Sequence, residues 1–216
     1  MKDELKLLTG VNCKEIVTKS ELDNLKTLGV TDIKYCEQSC TFTFKSRSDI
    51  SETTKTIIEA LHDNISIIPQ KAYWTGSSFN GFTLIFCDKA NTFEDLKLKQ
   101  SPYCSMLRLK TPLMSGDKVS TEVRIDAKDS KRIMSPYYAQ LLSIRADLLT
   151  IAVRAPQGLI ENVKYVSYAD LNMSKDLQTE QILLAATADG DFDVFSYTID
   201  KPNLMYSYCI EWTFTD

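Results

Sequence analysis

The final segment of the chain constrains its fold more than any other. Over residues 204–215 the large apolar residues Leu204, Tyr206, Tyr208, Ile210, Trp212 and Phe214 alternate with Met205, Ser207, Cys209, Glu211, Thr213 and Thr215. Successive side chains of a strand point to opposite faces, so this segment has one wholly apolar side that has to be covered by a second layer. Upstream, residues 181–188 and 191–199 flank Asp189-Gly190, a pair suited to the positive φ of a type I′ hairpin turn. Together these segments predict a C-terminal three-stranded meander. A helix over 177–188 is the alternative for the first of them, because Leu183, Leu184 and the alanines tolerate it.

The rest of the chain reads as a mixture. Residues 2–8 and 21–28 carry short helical patterns, the second between Ser20 as N-cap and Gly29 just past the end. A strand is expected over 33–45, with Cys36, Gln38, Cys40, Phe42 and Phe44 on one face. Asp49 with Glu52 three residues later resembles a capping box, and Thr54, Ile57, Ile58, Leu61 and Ile65 then make a helical stripe over 50–64. Residues 70–74 and 82–87 flank a loop ending in Asn80-Gly81, which predicts a hairpin. Extended segments follow over 103–110 and 118–127, the second with Val119, Thr121, Val123 and Ile125 inward. Ser135-Pro136 suits a helix start, and Tyr137, Tyr138, Leu141, Leu142, Leu148, Leu149 and Ala152 repeat at helical spacing up to Ala155-Pro156. A strand over 163–168 precedes the C-terminal part.

The expected class is therefore α+β, a largely antiparallel sheet with a C-terminal three-stranded meander and at least two packed helices. Its 216 residues fit a single domain, with room for two subdomains over 1–100 and 117–216.

Chemistry is sparser than structure. His62 is the only imidazole and sits beside the predicted helix end, where the helix dipole accounts for it; no serine has a nucleophile-elbow context. The loop 76–81 lacks the Lys-Ser/Thr of a phosphate cradle, and no dinucleotide fingerprint occurs. Six cysteines with no second close pair do not make a zinc site, and in a chain whose Met1–Leu5 start shows no signal-like apolar run they read as reduced thiols. Asp189, Asp191 and Asp193 are the metal candidates, although the spacing lacks the Gly and the bidentate Glu of a helix-loop-helix calcium site. No cofactor and no catalytic residue are called for.

Charge supplies the remaining signal. The net −4 argues against general polyanion binding, yet residues 96–116 hold Lys97, Lys99, Arg108 and Lys110 with no acid, whereas residues 181–216 hold six acids against Lys201 alone. Such asymmetry suits docking between protein subunits. With the apolar final strand, it points to a non-enzymatic structural or interaction subunit of a larger homo- or hetero-oligomeric assembly, a ring, connector or tail component of a virus particle being one form. Its interaction residues would be Lys97, Lys99, Arg108, Lys110, Tyr208, Trp212 and Phe214. Nucleic acid is a less favoured partner and no membrane is expected, which places the chain in the cytoplasm or in a particle. The alternative is an enzyme or small-ligand binder whose site gathers scattered Asp, Glu, Tyr and Cys residues. A deep pocket with convergent polar groups favours that alternative; a shallow face with large apolar patches favours the subunit.

Overall fold

The computed structural model describes residues 32–95 and 103–215. Fourteen strands account for nearly all of their regular structure: β1 (Ile33–Phe44), β2 (Asp49–Ala60), β3 (Ile65–Ala72), β4 (Ser78–Cys87), β5 (Ala90–Asp95), β6 (Tyr103–Leu113), β7 (Lys118–Lys128), β8 (Tyr137–Leu141), β9 (Leu148–Pro156), β10 (Ile160–Tyr168), β11 (Gln178–Leu183), β12 (Thr187–Asp189), β13 (Phe192–Asp200) and β14 (Ser207–Phe214). The only helical turn among the described residues is a three-residue 3-10 turn, Lys175–Leu177. The expected α+β class is thus corrected to an all-β sandwich, and no packed helices are found among the described residues.

Three sheets build it. Seven strands form the large sheet in the order β12-β13-β9-β1-β2-β7-β4, four form a second in the order β11-β10-β14-β8, and three form a third in the order β3-β6-β5. Every strand pair is antiparallel except β1 with β9. Both small sheets pack on the same face of the large one. Ile50 on β2 belongs to the core under the four-stranded sheet, whereas Ile58 and Ala60, further along the same row of β2, belong to the core under the three-stranded sheet.

The two helix readings fail for one physical reason. In β2, Ile50, Glu52, Thr54, Thr56, Ile58 and Ala60 share the inward row, and three polar residues in it hide the period of two. Thr53, Thr54, Thr56, Ile57 and Ile58 are β-branched, which favours the strand once the inward row has a sheet to meet. Residues 135–155 divide into β8 and β9. β9 is central and buries Leu149, Ile151, Val153 and Ala155 on one row, but Leu148 and Ala152 are apolar on the opposite row, so Leu148, Leu149 and Ala152 also fit a helical spacing. The expected helices over 2–8 and 21–28 lie outside the described residues.

The two hairpin expectations separate. Asp189-Gly190 does turn β12 into β13, with Gly190 at φ 61°. The chain before it, however, splits into β11 and β12 in different sheets, and β14 pairs with β10 and β8 rather than with β13, so there is no three-stranded meander. Likewise β3 pairs with β6 while β4 pairs with β7, and the 75–81 segment crosses between sheets instead of closing a hairpin. The strands expected over 33–45, 103–110, 118–127 and 163–168 correspond to β1, β6, β7 and β10. Among the described residues no helix is long and apolar enough to cross a membrane.

Candidate functional site

Where the two small sheets meet above the large one, the layers leave a cavity of about 710 Å³, within the ordinary range for small-molecule sites. Its wall draws on β1, β2 and β7 below, β3 on one side and β8 on the other, closed by the 73–79 and 134–143 segments. Six aromatic residues face it: Phe42, Tyr73, Trp74, Phe79, Tyr137 and Tyr138. Phe42 stands within 5.2 Å of the Tyr138 ring and 6.4 Å of the Trp74 ring, so the three make one continuous aromatic wall. Gly76 lies so close over the Trp74 indole that a Cβ there would fall 2.3 Å from the ring, which fixes the loop against it.

The polar lining converges on Glu52, whose carboxylate is half-buried. Tyr138 Oη donates to Glu52 Oε1 at 2.8 Å, Gln140 Nε2 at 3.3 Å and Thr54 Oγ1 at 3.3 Å, and Gln140 also donates to Tyr138 Oη. All three donors reach the same oxygen. None of the three reaches Oε2, and Glu52 is among the residues that line the cavity. Burial raises the carboxyl above its ordinary value, outweighing the three donors that favour the ionised form. Cys40, beside Thr54 at 3.7 Å, is pushed up to about 12 by burial and then by the Glu52 charge, so it is a thiol and a poor nucleophile. Lys71, the second charged lining residue, is exposed in part, and the burial of the rest lowers the pKa of its ammonium.

The wall near Met134 is held from behind. Asp129 is fully buried and accepts from the Ile133 and Met134 amides at 3.0 and 3.1 Å and from Ser77 Oγ at 3.2 Å, with Arg47 Nη1 at 3.9 Å. One carboxylate thereby ties two loops that close the cavity.

The residues singled out in the sequence lie elsewhere. Tyr208 and Trp212 are buried in the core under the four-stranded sheet, and Phe214 packs against that core beneath the Arg47 guanidinium. The final strand therefore completes a sheet of its own chain. Lys97 and Lys99 fall outside the described residues, and Arg108 and Lys110 lie on β6, with Lys110 exposed. Asp189 pairs with Arg154 at 2.8 Å across the β12–β13 end of the large sheet, near Asp191 in the turn and Asp193 on β13. Among the described residues no group of three or more His, Cys, Asp or Glu converges as a metal would need. His62 stands in the bend after β2, exposed, 3.7 Å from Asp32 and away from the cavity. Cys36 and Cys40 do not share a face: a bulge between Tyr35 and Glu37 turns Cys36 outward to Glu59, at 3.2 Å, while Cys40 points inward.

Glu52, Tyr138 and Gln140 were hidden in the sequence because both segments read as helices. The available signal was a polar residue inside an otherwise inward row, Ile50-x-Glu52 and Tyr138-x-Gln140-x-Leu142.

The architecture has solved counterparts. The chain superposes on a structure described as a "putative protease" from Parabacteroides distasonis with a TM-score of 0.55 at 10% identity, covering 85% of this chain and 41% of that one. An M1 zinc metallopeptidase from Deinococcus radiodurans gives a TM-score of 0.50 at 11% identity, covering 85% and 43%. A mutant of that enzyme bound to a Tyr-Ser-Ala substrate gives 0.50 at 10%, again covering 85% and 43%. The likeness is one of fold alone. This chain spans about two fifths of the length of those proteins. No family model and no curated protein sequence matches it.

Proposed function

We propose that this chain is a non-catalytic ligand-binding β domain that takes a small, largely apolar molecule into the cavity between its sheets. The observation that carries this reading is an aromatic-lined cavity with Glu52 in its wall, the three donors to the carboxylate all meeting Oε1 and none Oε2. A carboxylate oxygen in a half-buried site gains from a ligand donor that meets it, and a ligand that also covers the rings adds apolar burial. The fold neighbours are larger proteins described as peptidases; with His62 exposed outside the cavity and Cys40 held as a thiol, the residues of this chain support binding rather than bond cleavage. Cys36, Cys40, Cys87, Cys104 and Cys209 are all free thiols, which supports a reducing, intracellular compartment.

The test is titration with a neutral solvatochromic dye such as Nile red, for the wild type and for Ile125→Trp, which fills the cavity from β7. Dye emission that rises and saturates with the wild type and is lost in the folded variant is the expected result. No emission change with the wild type, or equal binding by the filled variant, overturns it.

A second reading keeps the chain as one subunit of a protein assembly. Its support is the edge strand β4, where Ile85 and Phe86 are 46% and 52% exposed at the margin of the large sheet. Light scattering over a range of concentrations tests it; a strict monomer throughout counts against self-association.

A further inference from the structure

We propose that the cavity selects organic ammonium ions, an aromatic or alkyl body carrying a primary or methylated amine, with Glu52 Oε2 as the point that reads the charge; this rests on the binding reading above and narrows it to one ligand class. Three features of the site lead there. First, the carboxylate is held by neutral donors only. Tyr138, Gln140 and Thr54 orient it without supplying a cation, and they are the groups that act on its carboxyl. A half-buried acid with no counter-charge gains most from a ligand that brings one.

Second, the geometry leaves one oxygen for that purpose. Donors crowd Oε1, so an incoming N–H meets Oε2 without displacing an internal hydrogen bond. Third, the surroundings are rings. Phe42, Trp74 and Tyr138 form the wall beside the carboxylate, and aromatic faces attract ammonium groups while rejecting anions. An anionic ligand would meet both the ring faces and the carboxylate. A neutral ligand would fill the volume but leave the charge unpaired. Lys71 does not reverse this preference, since the groups acting on the Glu52 carboxyl are Tyr138, Thr54 and Gln140.

The experiment uses three probes of one shape: tryptamine, indole-3-ethanol and indole-3-propionate, titrated calorimetrically into the wild type and Glu52→Gln, with Nile red displacement in parallel. Tryptamine is expected to bind the wild type at least about tenfold tighter than the alcohol, a difference typical of one charge-assisted hydrogen bond, with the acid weakest. Glu52→Gln, which keeps the Oε1 acceptor, is expected to bring amine and alcohol to equal affinity. If the wild type binds amine and alcohol equally and both displace the dye, the ammonium inference fails while the binding reading stands. If none of the probes binds and Nile red does not bind either, the binding reading itself fails. The wild-type comparison decides the point even should Glu52→Gln not fold.

Discussion

The two ends of the large sheet's inner face are packed by different chemistry. Under the three-stranded sheet the core is aliphatic, with Ile58, Ile68, Leu107, Leu113 and Val119 all at 1% exposure or less. Under the four-stranded sheet it is aromatic: Phe44 meets the Trp212 ring at 5.6 Å and 89° and the Phe214 ring at 5.8 Å and 87°, and Tyr165 stacks on Tyr197 at 4.0 Å. Branched aliphatic side chains interdigitate and close a layer, whereas flat rings prefer edge-to-face and offset contacts that cover area without filling every corner. The cavity opens where one packing regime gives way to the other, and the inward polar residues of β2, Glu52 and Thr54, lie at that junction. The large sheet itself bridges the junction, with β2 running under both cores.

The largest expected effect breaks the aromatic end. Phe44 is fully buried and touches three other rings, so Phe44→Ala should cost about 4 kcal/mol in a urea unfolding experiment. A loss under about 1 kcal/mol would mean that the rings do not form a packed layer. Leu107→Ala at the aliphatic end should cost about 3 kcal/mol. The sharper contrast is where ligand binding goes. Leu107→Ala should leave Nile red binding intact, because Leu107 does not line the cavity, while Phe44→Ala should alter it through Phe42.

A smaller effect is expected where the cavity wall is tied down. Asp129→Ala strips the Ile133 and Met134 amides and Ser77 Oγ of their common acceptor, which should cost about 2 kcal/mol. It should also raise amide exchange over residues 130–136 more than elsewhere. Uniform exchange across the chain would show that Asp129 stabilises the whole fold without acting on the wall.

The same junction explains what could be read in advance. β1, β6, β7 and β10 were legible because a clear inward row or a β-rich run survives in each; β7, for example, buries Val119, Thr121, Val123 and Ala127 in strict alternation. β2 was not, because Glu52, Thr54 and Thr56 interrupt its inward row and a capping-box spacing offered a local alternative. β9 was not, because the apolar Leu148 and Ala152 opposite the inward row of Leu149, Ile151, Val153 and Ala155 blur its alternation. Sheet membership was illegible throughout: β13 and β14 are consecutive in sequence yet belong to different layers, and that choice depends on long-range pairing with β9 and β10. The site vanished with β2, since the feature that makes Glu52 interesting, a carboxylate in a buried row, is the one that disguised the strand.

The last test concerns sign more than size and isolates the junction from both cores. Burial makes the folded chain hold the Glu52 proton to higher pH than the unfolded chain does. Over that interval the folded state binds more protons, so this group's contribution to stability is present below the ordinary value of 4.5 and is lost as pH rises through the folded value. Tyr138 and Cys40, the titratable neighbours, are both raised by burial and stay neutral across the same range. Glu52→Gln removes the ionisation and keeps an acceptor for Tyr138. Its melting temperature should match the wild type near pH 4 and exceed it at pH 7, a gap that opens steadily between. A constant offset at all pH values would place Glu52 in a solvent-like environment and dissolve the distinction between the open junction and the closed cores on either side of it. Leu107→Ala supplies the control: its destabilisation should be independent of pH, because no titrating group is removed with the leucine.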